Sequence, residues 1–366
     1  MKITNIKATP VAVNYRPEYQ ADKRFYPKPP VQTNVVVELE TDAGFVGWGE
    51  AAHAPGLYGE TAFATIAGIE YLASAIIGQD PRRITAINKD VDRLSPVGNI
   101  AAKAGIDIAL HDLAGKILGV PVYQLLGGRT HESVKTHITP ATYEDTTSDL
   151  LELMNQGYHA FKQKMSGDLS YDLPLIDDLL DNVPAGVVLS LDVNQGWSVN
   201  DTVRVLDHLD HRAPHTPDLI LEQPIDGADV AGAKFLREFS PVPLMLDDGI
   251  RTEADLLRVL EAGAADIVSL KISRVGGIQR CQRLIAMAEA HNVSYIVDEI
   301  NEMRIANTAV AHLALASRRP LYTGVACHTL LEEDVADGGV SIVGGAAFVP
   351  DAPGLGLTAL HLPKNV

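Results

Sequence analysis

Three acidic residues, Asp192, Glu222 and Asp247, stand 30 and 25 residues apart, with lysines at 162, 164 and 271 flanking them. The step from Lys164 to Asp192 is 28 residues, and that from Asp247 to Lys271 is 24. Each charged residue ends or follows a short apolar run: AFKQK, VVLSLD, LILE, PLMLD and IVSLK. One charged residue at the same place in successive strand-length runs brings all of them to a single mouth. Three carboxylates on neighbouring strands resist ionising together unless a cation sits among them. Oxygen donors without nearby His or Cys select a hard ion, Mg²⁺ or else Mn²⁺. Lys162 and Lys164, two apart, share one face of a strand. Like charges that close lower a lysine pKa, which makes Lys164 a candidate base. Lys271 would approach from the far side. A metal that stabilises an enediolate, with a lysine on each side, fits removal and return of the α-proton of a carboxylate substrate. The competing reading is a set of ordinary salt bridges around a rim.

The elements that must position these residues form two textures. Residues 34–39 and 45–49 read as a β-hairpin around the turn Thr41–Gly44. Residues 14–33, rich in Tyr, Pro, Arg and Lys without periodicity, read as a long loop. Helical patterns follow at about 60–77, 82–93 and 99–118, the last stopped by Gly119 and Pro121. From residue 134 onward, eight apolar runs alternate with amphipathic segments: 134–139, 160–165, 187–194, 219–225, 243–248, 267–273, 294–299 and 321–326. That is the pattern of an α/β chain closing as a (β/α)₈-type TIM barrel, whose active site lies at the C-terminal ends of its strands. An open doubly wound sheet also alternates this way, but no G-x-G-x-x-G follows the first run. The expected division is 1–125, 126–330 for the barrel, and a loop-rich 331–366 returning to the N-terminal part.

Bulk properties narrow the classes. The chain has 366 residues, a formal charge of −17 and 46% hydrophobic residues. The charge disfavours nucleic acid as a partner, and no long uncharged stretch proposes a membrane span. The N-terminus lacks the apolar core of a signal peptide. Two cysteines, Cys281 and Cys327, do not make a disulfide framework. A cytoplasmic globular protein acting on a small molecule is the expectation.

Phe161-Lys162-Gln163-Lys164, Leu191-Asp192-Val193-Asn194-Gln195-Gly196-Trp197, Leu221-Glu222-Gln223-Pro224, Pro243 to Asp248 and Lys271 to Gly277 occur in this order. They resemble the K-x-K, D-x-N-x-x-W, E-Q-P, P-x-x-x-D-E and K-x-x-x-x-G-G segments of the enolase superfamily, muconate-lactonizing-enzyme subgroup. Gly47-Trp48-Gly49-Glu50 and the helix Gly105 to Asp112 are similar to its N-terminal part. The resemblance covers nearly the whole chain. It implies a modified barrel, (β/α)₇β, under an N-terminal α+β capping domain whose 14–33 loop closes over substrate. It also implies Mg²⁺ on Asp192, Glu222 and Asp247, Lys164 and Lys271 as acid/base pair, and Lys162 orienting the substrate carboxylate. Asn194 and Asp248 would support the ligands, Asp248 standing where Glu is usual. Barrels of this kind often associate, so a homo-oligomer is expected.

The subgroup includes racemases, epimerases, dehydratases and cycloisomerases, and fold does not choose among them. Run seven ends in Asp298-Glu299, which resembles the paired acids of the proline-betaine and hydroxyproline-betaine epimerases. Those acids would read a cationic nitrogen beside the carboxylate. The aromatic residues that accompany them in those enzymes are replaced by Asn301 and Ala326, leaving Tyr15, Tyr19, Phe25 or Tyr26 to form a cation–π wall. A structural alternative pairs Asp298 and Glu299 with Arg304. The expectation is therefore a racemase or epimerase of an amino acid derivative or betaine. A dehydratase (of hydroxyproline, for example), a lactone-forming cycloisomerase, or a barrel that binds without turnover are the alternatives.

Overall fold

The computed structural model describes residues 1–17, 31–140, 146–212, 214 and 217–362. Three antiparallel strands open the chain: β1 (Ile3–Asn14), β2 (Val31–Thr41) and β3 (Val46–Ala51), in the order β1-β2-β3. Helices α1 (Ala62–Leu72), α2 (Ile84–Leu94) and α3 (Ile100–Leu118) pack on this sheet. Helix α3 crosses β3 so closely that a Cβ on Gly49 would overlap the carbonyl of Gly105 and lie 2.9 Å from the Ala109 Cβ. This is why the β3 sequence alternates glycine with Trp48 and Glu50.

The segment 14–33 is shorter as a loop than its composition implies. Asn14 and Val31 are paired, and β2 takes up 31–33. Tyr15 bridges Leu331. The strand β1 itself has no clean alternation of apolar residues, since most of its side chains are half-exposed or exposed. Tyr19, Phe25 and Tyr26 lie outside the described residues.

The barrel follows. Its strands are β4 (Val134–His137), β5 (Ala160–Lys164), β6 (Val188–Asp192), β7 (Asp218–Glu222), β8 (Leu244–Leu246), β9 (Ile267–Lys271), β10 (Ser294–Asp298) and β11 (Pro320–Gly324). They pair in parallel from β5 round to β11, and β11 pairs with β4. A parallel bridge between Ile138 and Phe161 joins β4 to β5 and closes the ring. Helices α4 (Thr146–Asn155), α5 (Leu169–Asn182), α6 (Val199–His211), α7 (Val230–Phe239), α8 (Glu253–Ala262), α9 (Ile278–Ala290) and α10 (Arg304–Ala316) follow the first seven strands. The eighth strand leads instead into a single 3₁₀ turn, Cys327–Leu330, so the architecture is (β/α)₇β. The C-terminal segment adds β12 (Ala336–Gly338), β13 (Ser341–Val343), β14 (Ala346–Phe348) and β15 (Leu357–Leu360). β14 runs antiparallel beside β4, while the Gly354 carbonyl accepts from Val122 and Leu355 N donates to Asp112 Oδ1 at 2.8 Å.

Apolar side chains fill the space between strands and helices. A second, small cluster of Ala160, Ile220, Met245, Ile267, Ile296 and Tyr322 plugs the barrel interior. Ile220, Met245 and Ile296 stand two residues before Glu222, Asp247 and Asp298, on the same face of their strands. The charged layer therefore rests on a hydrophobic floor.

Two acids of the N-terminal part complete barrel helices that cannot cap themselves. Glu50, at the end of β3, accepts from the backbone N–H of Met303 (2.7 Å) and Ala306 (2.9 Å) at the start of α10. Asp107 of α3 accepts from Ile278 N at 2.6 Å, at the start of α9. Gly277, at φ +118°, lies against Asp107, where any Cβ would collide with it. Neither Gly277 nor Met303 supplies a side-chain cap of its own. These contacts match the preference of helix N-termini for negative charge. Asp107→Ala leaves the buried Ile278 N–H without an acceptor. It is expected to cost about 1–3 kcal/mol, seen as a lower urea midpoint, and an unchanged midpoint would show the cap to be dispensable.

Candidate active site

Strand register builds the site. Lys164 pairs with Asp192 and Asp192 with Glu222 across β5, β6 and β7, so the three point into the barrel in one row. Lys271 pairs with Asp298 across β9 and β10. Asp192, Glu222, Asp247 and Asp298 are fully buried.

The chain turns sharply after Asp192 and after Glu222. Asn194 (φ 45°), Gln195 (φ 68°) and Gln223 (φ 38°) adopt the left-handed region, a conformation that stores strain at functional sites. The turn lets Asn194 N donate to Asp192 Oδ1 at 3.0 Å. Gln223 Oε1 accepts from Asp247 N at 2.8 Å, so the E-Q-P segment also fixes the next acid. Trp197 Nε1 donates to Asp172 (2.8 Å), which in turn holds the backbone of Ser166 and Gly167, just beyond Lys164.

The cations interleave with the acids. Lys164 Nζ lies 2.6 Å from Asp192 Oδ2 and 2.7 Å from Asn194 Oδ1. Lys271 Nζ lies 2.7 Å from Asp247 Oδ2, whose other oxygen takes Arg274 at 2.7 Å. Lys162 Nζ lies 2.7 Å from Glu222 Oε1 and 2.8 Å from Asp298 Oδ2. Asn194 Nδ2 reaches Asp248 Oδ2 at 3.3 Å, linking the two supporting residues. Arg274, Ser190 and Ser269 were not singled out in the sequence. Ser190 Oγ donates to Glu222 Oε2 (2.7 Å) and Ser269 Oγ to Asp298 Oδ2 (2.9 Å). Both serines stand two residues before a charged strand end, and that inward-facing position is the signal that could have found them. His137, whose Nε2 is 2.8 Å from Asp298 Oδ1, comes from β4 and carries no comparable signal.

Electrostatics follow from this crowding. Burial and the charges of Asp192, Asp247 and Asp298 push Glu222 up to about 8, against the pull of Lys162. Burial, joined by the charge of Asp247, also raises Asp248. Burial alone would raise Asp247 and Asp298, but Arg274, Lys271 and Lys162 for the first, and Lys162, Lys271 and His137 for the second, hold both below the usual carboxylate range. Lys162 is a correction to the sequence reading. Burial favours its neutral form, yet Asp298, Glu222 and Asp192 outweigh that and hold its pKa well above the ordinary lysine value. Acids, not Lys164, are its nearest charges.

The donor chemistry fits a hard divalent cation. Five carboxylates (Asp192, Glu222, Asp247, Asp248, Asp298) face four cationic side chains (Lys162, Lys164, Lys271, Arg274), an oxygen-rich donor set with no cysteine among them. Ligand atoms of Glu222, Asp247 and Asp298 lie within 4.8 Å of one another. That trio differs from the sequence-derived Asp192, Glu222 and Asp247, because Asp192 is drawn to Lys164 while Lys162 bridges Glu222 to Asp298.

The seventh-strand acids are engaged by protein groups. Asp298 gives one oxygen to His137 and the other to Lys162 and Ser269. Glu299 accepts from Asn307 Nδ2 (2.7 Å) and from the backbone N–H of Ala326 and Cys327. Arg304 pairs with Asp334 instead, at 2.9 Å. Both acids face protein because partners from β4, β5 and α10 reach them first. Tyr15, which lies within the described residues, donates to Gln32 Oε1 at 2.9 Å and reaches Asn301 at 3.3 Å.

Residues 29–127 match the N-terminal domain of the mandelate racemase / muconate lactonizing enzyme family, and residues 145–360 match the enolase C-terminal domain-like family. The chain belongs to the mandelate racemase / muconate lactonizing enzyme family of the enolase superfamily. It is 30% identical over 370 residues to the L-Ala-D/L-Glu epimerase of Bacillus subtilis (strain 168), covering 100% of this chain and 99% of the relative. The substrate-liganded structure of the Bacillus subtilis L-Ala-D/L-Glu epimerase superposes with a TM-score of 0.92, 29% identity, and coverage of 99% and 100%. A dipeptide epimerase from Enterococcus faecalis V583, solved with Mg and the dipeptide L-Leu-L-Tyr, gives 0.90 at 27% identity, covering 98% and 100%. Muconate cycloisomerase 1 of Pseudomonas putida is 33% identical over 336 residues, 89% of this chain and 88% of the relative. Among the described residues no helix is long and apolar enough to cross a membrane.

The titrating groups set a pH profile for the metal-free protein. A carboxyl raised in the folded state keeps its proton there while the unfolded chain loses it, so stability falls as pH rises between the two values. For Glu222 that window runs from 4.5 to about 8. Burial raises Glu50, Glu299 and Glu302 to about 7, with the same sign. Asp247 and Asp298 act oppositely, and their contribution is lost as pH falls below 3.8. Thermal melts of chelator-treated protein are therefore expected to peak on the acidic side of neutral and decline towards pH 8, with Glu222→Gln softening the decline. Stability that rises through this window would contradict the charge balance.

Proposed function

We propose that the protein is a metal-dependent racemase or epimerase that moves the α-proton of a carboxylate substrate, an amino acid derivative such as an N-substituted amino acid or a dipeptide. One observation carries this reading. Lys164 ends β5 and Lys271 ends β9, four strands apart in a closed ring of eight, so the two amines face each other across the mouth. Each already touches an acid of the candidate metal site.

A divalent cation on Asp192, Glu222 and Asp247, Mg²⁺ by the donor chemistry, would supply Lewis-acid stabilisation of enediolate charge. The chain does the rest. One lysine, neutral, takes the α-proton, and the other, protonated, delivers a proton to the opposite face of the planar carbon. Lys162, held cationic by its acids, is placed to support a substrate carboxylate oxygen once a cation competes for Glu222. The fully buried acids and the apolar floor exclude bulk water from below.

In the betaine reading, Asp298 and Glu299 would have to leave protein partners to meet a cationic nitrogen on the substrate. Dehydration or cycloisomerisation is the second reading. It is supported by the similarity to a muconate cycloisomerase and needs one lysine as base and the other as a fixed charge.

Incubation in D₂O with Mg²⁺ is expected to exchange the α-proton of both stereoisomers of the substrate, found by NMR across dipeptides, N-acyl and N-succinyl amino acids, hydroxyprolines and betaines. Lys164→Ala and Lys271→Ala are each expected to lower turnover by about 10²–10⁴ and to abolish exchange from one stereoisomer each. Elimination or ring closure with exchange at one face only would replace this reading with the second.

A further inference from the structure

Asp298 touches cations from both walls of the barrel. Its Oδ2 lies 2.8 Å from Lys162 Nζ on β5 and 3.6 Å from Lys271 Nζ on β9. The same oxygen accepts from Ser269 Oγ at 2.9 Å. The opposite oxygen, Oδ1, is 2.8 Å from His137 Nε2 on β4, and the side chain is fully buried. Four strands, β4, β5, β9 and β10, thus meet on one carboxylate.

We propose that Asp298, held by His137, is a positioning residue: a shared counter-ion that sets Lys162 and Lys271 at their places and reads neither substrate nor metal. The geometry fixes the roles of the imidazole. His137 Nε2 must donate, since Asp298 is charged beside two ammonium groups. His137 Nδ1, on the far side of the ring, is buried without a hydrogen-bond partner among the described residues, so the Nε2 contact to Asp298 is the one that orients the imidazole. Tyr322 packs edge-on against the ring with centroids 5.8 Å apart, which fixes its plane. Gly324 faces both groups: a Cβ there would lie 2.5 Å from His137 Nε2 and overlap Asp298 Oδ1. The eighth strand therefore carries glycine where this contact passes.

The arrangement explains how two buried lysines hold defined rotamers in a site whose other acids are needed for a cation. Asp192, Glu222 and Asp247 can turn towards an ion, while Asp298 keeps its grip on the amines. This extends the proposed acid/base roles and rests on them.

Asp298→Asn keeps the shape and removes the charge. With the substrate identified by the exchange screen, it is expected to lower kcat by 10-fold or more, with KM and the Mg²⁺ affinity within about threefold of the parent. A rise in KM at constant kcat would make Asp298 a substrate reader, and a loss of Mg²⁺ affinity would make it a ligand; either overturns the proposal. His137→Gln, which can still donate to Oδ1, is expected to retain most of kcat where His137→Leu loses it. These two variants serve if Asp298→Asn does not fold, and equal losses in both count against the proposal. An arm independent of substrate uses ¹⁵N NMR of the lysine ammonium groups. His137→Leu and Asp298→Asn are expected to shift or broaden the Lys162 and Lys271 signals, and unchanged signals overturn the proposal. If wild-type protein exchanges no α-proton while those signals do move, the functional reading fails and the counter-ion stands.

Discussion

The structure depends on how five buried carboxylates are kept at one end of a barrel. Burying even one unpaired carboxylate is costly, and a pair repays its desolvation only with good geometry and further hydrogen bonds. Here Lys162, Lys164, Lys271 and Arg274 thread between the acids, and Ser190, Ser269, Asn194 and His137 meet further carboxylate oxygens. Burial, joined by the charges of Asp192, Asp247 and Asp298, still raises Glu222 against the pull of Lys162. Such a donor set could hold a divalent cation, and in the structure its acids hold the amines in place.

The two parts of the chain are joined by similar means. Glu50 and Asp107 each leave the N-terminal part to complete a barrel helix, α10 and α9, that follows the strands bearing Asp298 and Lys271. Asn34 connects them to the mouth: its amide donates to Glu50 Oε1 at 2.6 Å and to the Asn301 carbonyl at 3.0 Å. The loop after β10 is thus shaped from above by the sheet of the N-terminal part. The sheet of the N-terminal part and the starts of the helices behind β9 and β10 are therefore joined by direct hydrogen bonds.

Much of this was legible in the residues because the barrel repeats a single local pattern. Apolar runs ending in a charge located the strands carrying Lys164, Asp192, Glu222 and Lys271. Gly119 and Pro121 placed the end of α3. The strand β1 escaped notice because its exposed, mixed residues show no period-2 alternation. The seventh-strand acids were visible, but what they face was not. The contact from Asp298 to His137 joins residues 161 apart in sequence, and Arg304, the partner nearest in sequence, goes to Asp334. Side-chain partners across a closed barrel depend on which strands become neighbours when the ring shuts, and no local window contains that.

Which acids hold the ion decides the account. The resemblance implies Asp192, Glu222 and Asp247, whereas the structure gathers ligand atoms of Glu222, Asp247 and Asp298 within 4.8 Å of one another. A crystal structure of the Mn²⁺-loaded protein, with the ion located by anomalous scattering, separates them most directly. The account predicts one ion at about 2.0–2.3 Å from oxygens of Asp192, Glu222 and Asp247, with Lys162 still on Asp298. An ion bound by Asp298, or none in the cluster, would contradict it.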